Sequence, residues 1–374
     1  MSGRKYRILI VGLSSNRGGV ESYIMNMVRH FSMGFFELYF PANGAETTYG
    51  DAIRSLGGRF IDIPSGRGMR FVQYYWGWWN VLRKFRFDVV YWNDCSIVSL
   101  DVLRMARWLG VRVRIFHAHS TSMDAPLFGL RRWIEKKNFR SLPDIANFLL
   151  ACSETAAQWM FRAGARYQVI PNALDVSRYQ FSGGIRSEKR NELGISDCHV
   201  IGFVGRLASQ KYPEFFVKIA AELCRRSDRC IMMMAGAGEL ESDVLNLVQQ
   251  FQLPASRFLM LGARSDVPEL MQAMDCLVMP SRYEGLPMTL VEAQASGLPC
   301  VVSDAVSREC DLTGDVAFLS LTDSVERWAD VILQRMQEPR DRMQGARKVR
   351  ETGFDAADAF SKLEQLILDK LREN

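Results

Sequence analysis

At 374 residues the chain is too long for one ordinary core and suits two α/β domains of roughly 150–200 residues each. Hydrophobic residues make up 48% and charged residues 24%, a globular composition, and the absence of any run of about 18 apolar residues excludes a transmembrane helix. The net charge of +5 is uneven: residues 1–180 hold 24 Lys and Arg against 13 Asp and Glu, so a basic half that meets an anionic partner is joined to an acidic half.

The opening, MSGRKYRILIVGLSS, lacks the length and cleavage site of a signal peptide and reads as a β-strand over Arg7–Gly12. A glycine-containing loop and an amphipathic stretch over Val20–Phe31 follow. Asp88–Trp92, Val111–Phe116, Asn147–Cys152 and Gln168–Pro171 read as further buried strands. The polar stretch Asn172–Gly194, with Ser182-Gly183-Gly184, reads as an inter-domain linker. A second strand series runs through His199–Val204, Cys230–Ala235, Phe258–Leu261, Cys276–Met279 and Pro299–Val302. This alternation predicts two parallel sheets covered by helices. Ligands of such sheets bind beyond the carboxyl ends of the strands, so the chemistry is sought in the loops there. The eight cysteines, at 95, 152, 198, 224, 230, 276, 300 and 310, form no C-x-x-C pair. Neither a zinc site nor a disulfide framework is indicated, and a reducing, cytoplasmic setting is expected.

The strongest motif is Ser281–Gly297, SRYEGLPMTLVEAQASG. Gly285 and Pro287 break the chain, and a helix is predicted from Met288. The free amides of Met288 and Thr289 at its start favour a phosphate. Glu292, expected in the first turn, would accept hydrogen bonds from ribose. Glu284 in the loop would face a sugar hydroxyl, because a carboxylate repels the phosphate. The competing reading makes Thr289-x-x-Glu292 a capping box. In Gly202–Lys211, GFVGRLASQK, Arg206 and Lys211 follow a strand end and would point two cations at a departing diphosphate; ordinary surface charge is the plainer reading. Gly12–Glu21, GLSSNRGGVE, lacks the G-x-G-x-x-G spacing of a dinucleotide fingerprint, its glycine pair coming at Gly18-Gly19. Ile115–Ser120, IFHAHS, places two histidines after a strand, with no Asp, Glu or Cys cluster to make a metal site. Nowhere does Asp-x-Asp occur.

Glu284 and Glu292, eight residues apart, resemble the E-x7-E signature of retaining glycosyltransferases of family 4, which have the GT-B fold: α/β, with two Rossmann-like domains facing a central cleft. Asp275–Pro287 and Ala293–Asp304 resemble the flanks of that signature, and the likeness runs from Ile8 to about Asp304, closest to capsule and exopolysaccharide transferases. It implies a nucleotide-sugar donor, UDP before GDP, and neither cofactor nor metal. Arg206 and Lys211 would bind the donor diphosphate and Gly18-Gly19 would approach it. Arg264 and Val267 would lie nearest the base, and Gly285 and Leu286 would complete the donor loop with Met288, Thr289, Glu284 and Glu292. His117, with His119 as the second choice, would face the reacting sugar. Ser153, Asn172 and the Gly236-x-Gly238 turn fall at cleft positions, although the usual Asn-Gly reads Asn172-Ala173 here. With no evident enzyme nucleophile, retention implies front-face attack.

The expected layout is an N-terminal acceptor-side domain over 1–180, a nucleotide-sugar domain over 181–355, and a helix over 356–374 packing back on the first. The acceptor would be a saccharide or a polyprenyl-linked saccharide. Two segments, Gly68–Phe87 and Leu127–Arg140, interleave aromatics with cations, and Trp76, Trp78 and Trp79 with Arg83–Arg86 and Arg131–Lys137 suit an anionic membrane face. Nucleic acid is the weaker fit and is not expected. The alternatives are a GT-B sugar-nucleotide epimerase and a non-catalytic partner subunit that binds nucleotide sugar.

Overall fold

The computed structural model describes residues 4–14, 19–42, 49–63, 71–120 and 129–373, without the side chains of Phe71, Leu130 and Arg131. The chain divides into unit 1, residues Met1–Leu174 with Asp355–Asn374, and unit 2, Asp175–Phe354.

Unit 1 contains a seven-stranded, wholly parallel sheet. Its strands are β1 (Tyr6–Val11), β2 (Phe36–Ala42), β3 (Arg59–Asp62), β4 (Val89–Asp94), β5 (Val113–Ala118), β6 (Phe148–Ala151) and β7 (Gln168–Val169), in the order β3-β2-β1-β4-β5-β6-β7. The central segments read as unbroken apolar runs because helices cover both faces. One face packs on α1 (Gly19–His30), α2 (Gly50–Ser55) and α14 (Ala356–Glu373) through Tyr23, Met27, Ile53, Phe360 and Leu363. The other packs on α3 (Phe71–Phe85), α4 (Asp101–Trp108), α5 (Gly129–Ile145) and α6 (Glu154–Met160) through Trp78, Leu82, Leu103, Leu142 and Ala156. Trp78 is 2% exposed and packs in the core, Trp79 is half-buried against that core, and Trp76 alone of the three is exposed. The spacing explains this, since α3 turns its apolar side inward once per turn.

Unit 2 has a six-stranded parallel sheet, β8 (His199–Val204), β9 (Cys230–Ala235), β10 (Phe258–Gly262), β11 (Cys276–Met279), β12 (Cys300–Ser303) and β13 (Val316–Leu319), in the order β10-β9-β8-β11-β12-β13. Its helices are α7 (Gly183–Leu193), α8 (Pro213–Arg226), α9 (Glu241–Gln250), α10 (Val267–Ala273), α11 (Met288–Ala295), α12 (Val325–Gln337) and α13 (Gln344–Glu351).

The expected linker Asn172–Gly194 is instead structured. The Ser182 side chain caps α7 by accepting from the Ile185 amide, Gly183 and Gly184 are its first residues, and Gly194 closes it with a left-handed φ of 68°. Arg186 and Arg190 of α7 grip the Asp275 carboxylate at 2.5 and 2.6 Å, which fixes this helix against α10. The expected boundary at 180/181 therefore falls inside unit 2, and the chain passes between units at Leu174/Asp175 and again at Phe354/Asp355. Among the described residues no helix is long and apolar enough to cross a membrane.

Candidate active site

In each sheet the order reverses direction once, between β1 and β4 in unit 1 and between β8 and β11 in unit 2. The carboxyl ends of such neighbouring strands form a crevice that recurs as the ligand site of open α/β sheets.

In unit 2 that crevice joins two loops more than seventy residues apart in sequence. The Lys211 ammonium lies 2.6 Å from Glu284 Oε1, with side-chain exposures of 16% and 6%. Gln210 Nε2 donates to the Tyr283 carbonyl at 3.2 Å and reaches Glu284 Oε2 at 3.4 Å. The Arg282 amide donates to the Gln210 carbonyl at 2.7 Å, and the Arg282 guanidinium lies over the Tyr212 ring at 4.0 Å. Gln210, Tyr212 and Arg282 were not singled out in the sequence, since nothing local marks them; only the adjacency of β8 and β11 does.

Arg206 does not join Lys211 around one point. Its guanidinium is exposed and pairs with Glu239 at 3.0 Å. That carboxylate is carried on the Gly236–Glu239 turn after β9. A Cβ on Gly236 would sit 1.8 Å from the Gly205 carbonyl oxygen, so only glycine lets the loops after β8 and β9 lie this close. Arg264 is likewise engaged, at 2.6 Å from Asp266, beside Val267 at the start of α10. Arg264 and Lys189 together hold the Asp266 carboxyl well below its usual range.

The helix start at Met288 has Pro287 as its N-cap, with no side-chain capping bond. The capping-box reading therefore fails, because Thr289 lies inside the helix. The first intrahelical bonds come from the Leu290 and Val291 amides to the Pro287 carbonyl, so the Met288 and Thr289 amides precede them. Glu292 is the fifth helical residue and so lies in the second turn rather than the first. Burial raises its carboxyl, against the hydrogen bond from Tyr179 and the charges of Arg178 and Lys211. Gly285 and Leu286 are half-buried, and Gly285 offers its carbonyl to the Cys310 thiol at 3.7 Å.

In unit 1, Gly19 begins α1, while Gly18 lies outside the described residues. Gly12, at φ +133°, follows β1, where a Cβ would stand 2.8 Å from Asn93 Cβ. His117 lies within β5, fully buried, and receives or gives a hydrogen bond with the Tyr91 hydroxyl at 2.9 Å. It has no surface to offer a substrate. His119, one residue beyond the strand, is half-buried and keeps the exposed ring surface that His117 lacks. Its Nε2 is 3.0 Å from Asn93 Oδ1 and its Nδ1 3.2 Å from Asn172 Oδ1. The Asn93 amide nitrogen donates to the Val11 carbonyl at 3.0 Å, which turns its oxygen toward the His119 ring. Tyr23 packs its ring 4.9 Å from both imidazoles and bonds Tyr91 at 2.8 Å. Burial pushes the His119 imidazole down to about 4, and burial with the neighbouring His119 pushes His117 well below the usual histidine value. Ala173 keeps an ordinary negative φ, so the missing glycine after Asn172 costs nothing. Ser153 caps α6 by accepting from the Ala156 amide.

Two parallel-sheet units, each with one switch-point crevice, make up the GT-B fold, and the chain belongs to glycosyltransferase family 4. Residues 17–178 match the family model "Glycosyltransferase Family 4" and residues 185–352 match "Glycosyl transferases group 1". The chain is 32% identical over 373 residues to "Putative glycosyltransferase EpsF" of Bacillus subtilis (strain 168), covering 95% of this chain and 94% of that protein. It is 26% identical over 239 residues, 62% of each chain, to the Escherichia coli "UDP-Gal:alpha-D-GlcNAc-diphosphoundecaprenol alpha-1,3-galactosyltransferase". Among solved structures, Anabaena Alr3699/HepE in complex with UDP superposes with a TM-score of 0.77 at 17% identity, over 98% of this chain and 100% of that one, a likeness of fold.

Proposed function

We propose that this glycosyltransferase moves a sugar from a UDP-sugar to a saccharide or lipid-linked saccharide in surface-polysaccharide synthesis, with retention at the anomeric carbon and without a metal. The observation that carries the reading is the Lys211–Glu284 pair placed beside the start of α11 at the β8/β11 switch point. The Met288 and Thr289 amides and the helix dipole hold the donor diphosphate. Lys211 lies between that anion and Glu284, and Arg206, on its exposed loop, leaves Glu239 to complete the clamp. Charge that grows on the leaving nucleoside diphosphate is thereby met by fixed cations. Glu292, with Tyr179, takes the ribose hydroxyls, and the main chain around Arg264 and Val267 the base. Glu284 orients the transferred sugar. On the acceptor side His119 takes the sugar-facing position expected for His117.

In the proposed step the C1–O bond to the diphosphate breaks as the acceptor oxygen attacks C1 from the same face. The acceptor proton passes to a donor phosphate oxygen. UDP is favoured because HepE was solved with UDP, and with UDP-glucose, and because the Escherichia coli relative is named for UDP-Gal. That same name supports a diphosphate-lipid acceptor, which a protein on the cytoplasmic membrane face would meet through Trp76 and the cations of α3 and α5. The Bacillus subtilis and Escherichia coli relatives are named as transferases, which favours transfer over epimerisation and over a silent subunit. Incubation with a panel of UDP- and GDP-sugars and a prenyl-diphosphate-linked saccharide, read by mass spectrometry and by the anomeric coupling constant, tests the reading. Transfer from a UDP-sugar with inverted configuration overturns the mechanism, and no transfer from any donor overturns the function.

A further inference from the structure

Unit 1 carries a cavity that the donor chemistry does not use. It has a volume of about 460 Å³ and opens on the helix layer between α5 and α6, beside the turn that follows β4. Its floor is apolar, formed by Ile97, Phe139 and Met160. Lys136, Arg140 and Arg162 stand around it, and none of the three forms an ion pair among the described residues. Glu135 is the one carboxylate in the lining, so three cations face one anion there. Trp159 lines the cavity and remains 48% exposed, a large aromatic surface left in water beside those charges.

The cavity begins where the candidate acceptor side ends. Cys95 and Ser96 in its wall directly follow Asp94, whose carbonyl accepts the His119 amide at 3.1 Å. One wall of the cavity is thus one residue along the chain from the backbone that holds His119.

We infer that this pocket binds the phosphate-bearing end of an isoprenoid carrier, a prenyl diphosphate, whose chain lies on Phe139 and Met160 and whose diphosphate meets Lys136, Arg140 and Arg162. The inference rests on the lipid-linked acceptor proposed above. An apolar floor alone would take any greasy ligand, and cations alone any phosphate; the two together select an amphipathic anion. Arginine also matches phosphate oxygens through two donors, which suits a diphosphate better than a carboxylate.

Cys95 supplies the test, because it is the only exposed one among the eight cysteines, none of which is in a disulfide. Reaction of the full chain with a thiol-directed maleimide should be slowed at least tenfold by farnesyl diphosphate. Farnesol, inorganic diphosphate and phosphatidylglycerol vesicles should each protect far less. Arg162→Glu and Arg140→Glu should abolish the protection, and Arg162→Lys should restore most of it. Equal protection by farnesol, or by vesicles without prenyl diphosphate, overturns the proposal, as does no protection at all. In turnover, the two Glu variants should raise the KM for a prenyl-diphosphate-linked acceptor by about tenfold or more with the donor KM unmoved, the scale of one charged hydrogen bond. Wild-type transfer to that acceptor with unchanged KM in both variants removes the pocket but leaves the proposed function standing. Protection of Cys95 without any transfer to lipid-linked acceptors removes the proposed acceptor and leaves the pocket.

Discussion

Lys211 and Glu284 hold one another at 2.6 Å with both side chains largely out of water, whereas Arg206, five residues earlier, is exposed and pairs with Glu239 on the surface. Two cations from one loop therefore differ in what their removal leaves behind. Lys211→Ala leaves a buried carboxylate without its partner, and loss of one member of a buried pair costs about 3–5 kcal/mol. Arg206→Ala removes an exposed contact worth about 0–1 kcal/mol. Both should lower turnover by roughly 10²–10³. Urea unfolding should separate them: a large shift of midpoint for Lys211→Ala, little for Arg206→Ala, and recovery of stability without activity in Lys211→Met/Glu284→Gln.

The two glutamates should separate by assay. Glu292→Gln should weaken binding of free nucleotide by about tenfold, the scale of one hydrogen bond to a charged group. Its melting temperature should hold or rise, since burial already disfavours the charge there. Glu284→Gln should lower turnover with little change in nucleotide affinity. Calorimetric titration with UDP checks both, and a Glu292→Gln protein with full affinity and a lowered melting temperature would make that residue structural.

Activity should survive excess EDTA, because Lys211, Arg206 and the start of α11 supply the positive field at the diphosphate. Full loss on chelation, restored by Mn²⁺ or Mg²⁺, would overturn the metal-independent mechanism.

His119 should stay neutral across the working pH range. Its imidazole is pushed down to about 4 in the folded protein, against about 6.5 in an unfolded chain. Below about pH 6.5 the unfolded state takes up the proton first, so stability is lost as pH falls toward 4 and is independent of this group above 6.5. His117, also held below the usual histidine value by burial, acts in the same direction. The His119 ring resonances should not titrate between pH 8 and 5.5, and His119→Asn should flatten the acid limb of the urea midpoint against pH. A ring that titrates near 6.5 would mean that the site is wet.

The inner strands were legible in the sequence because burial on both faces writes them as apolar runs, as in IMMMA of β9 or VVYW of β4. β3 and β13 were missed: each is four residues at a sheet edge, with mixed exposure and no run to read. β2 escaped for another reason, since its Pro41 and Glu37 interrupt the pattern. In the site, Glu284, Glu292 and Lys211 stood out by motif, but their pairing depends on β8 and β11 being neighbours, which no local pattern encodes. At the histidines the strand runs two residues further than expected, to Ala118 rather than Phe116, which buries His117 and leaves His119 half-buried just beyond it. Likewise, Ser182-Gly183-Gly184 has the composition of a linker, yet the Ser182 side chain makes it a helix start.

Helix α14 completes a core that the first 174 residues begin. Phe360, Leu363, Ile367 and Leu371 fill the layer against Tyr23 and Met27, and the Leu371 carbonyl takes a hydrogen bond from Arg112. During synthesis, then, the amino-terminal half emerges first but keeps an uncovered apolar face until α14 has been made. The carboxyl-terminal half, contiguous in sequence, can finish folding sooner. A nascent chain stalled before residue 355 should consequently attract chaperones through its earlier half, and truncations that remove α14 should be as harmful to folding as lesions in the central strands.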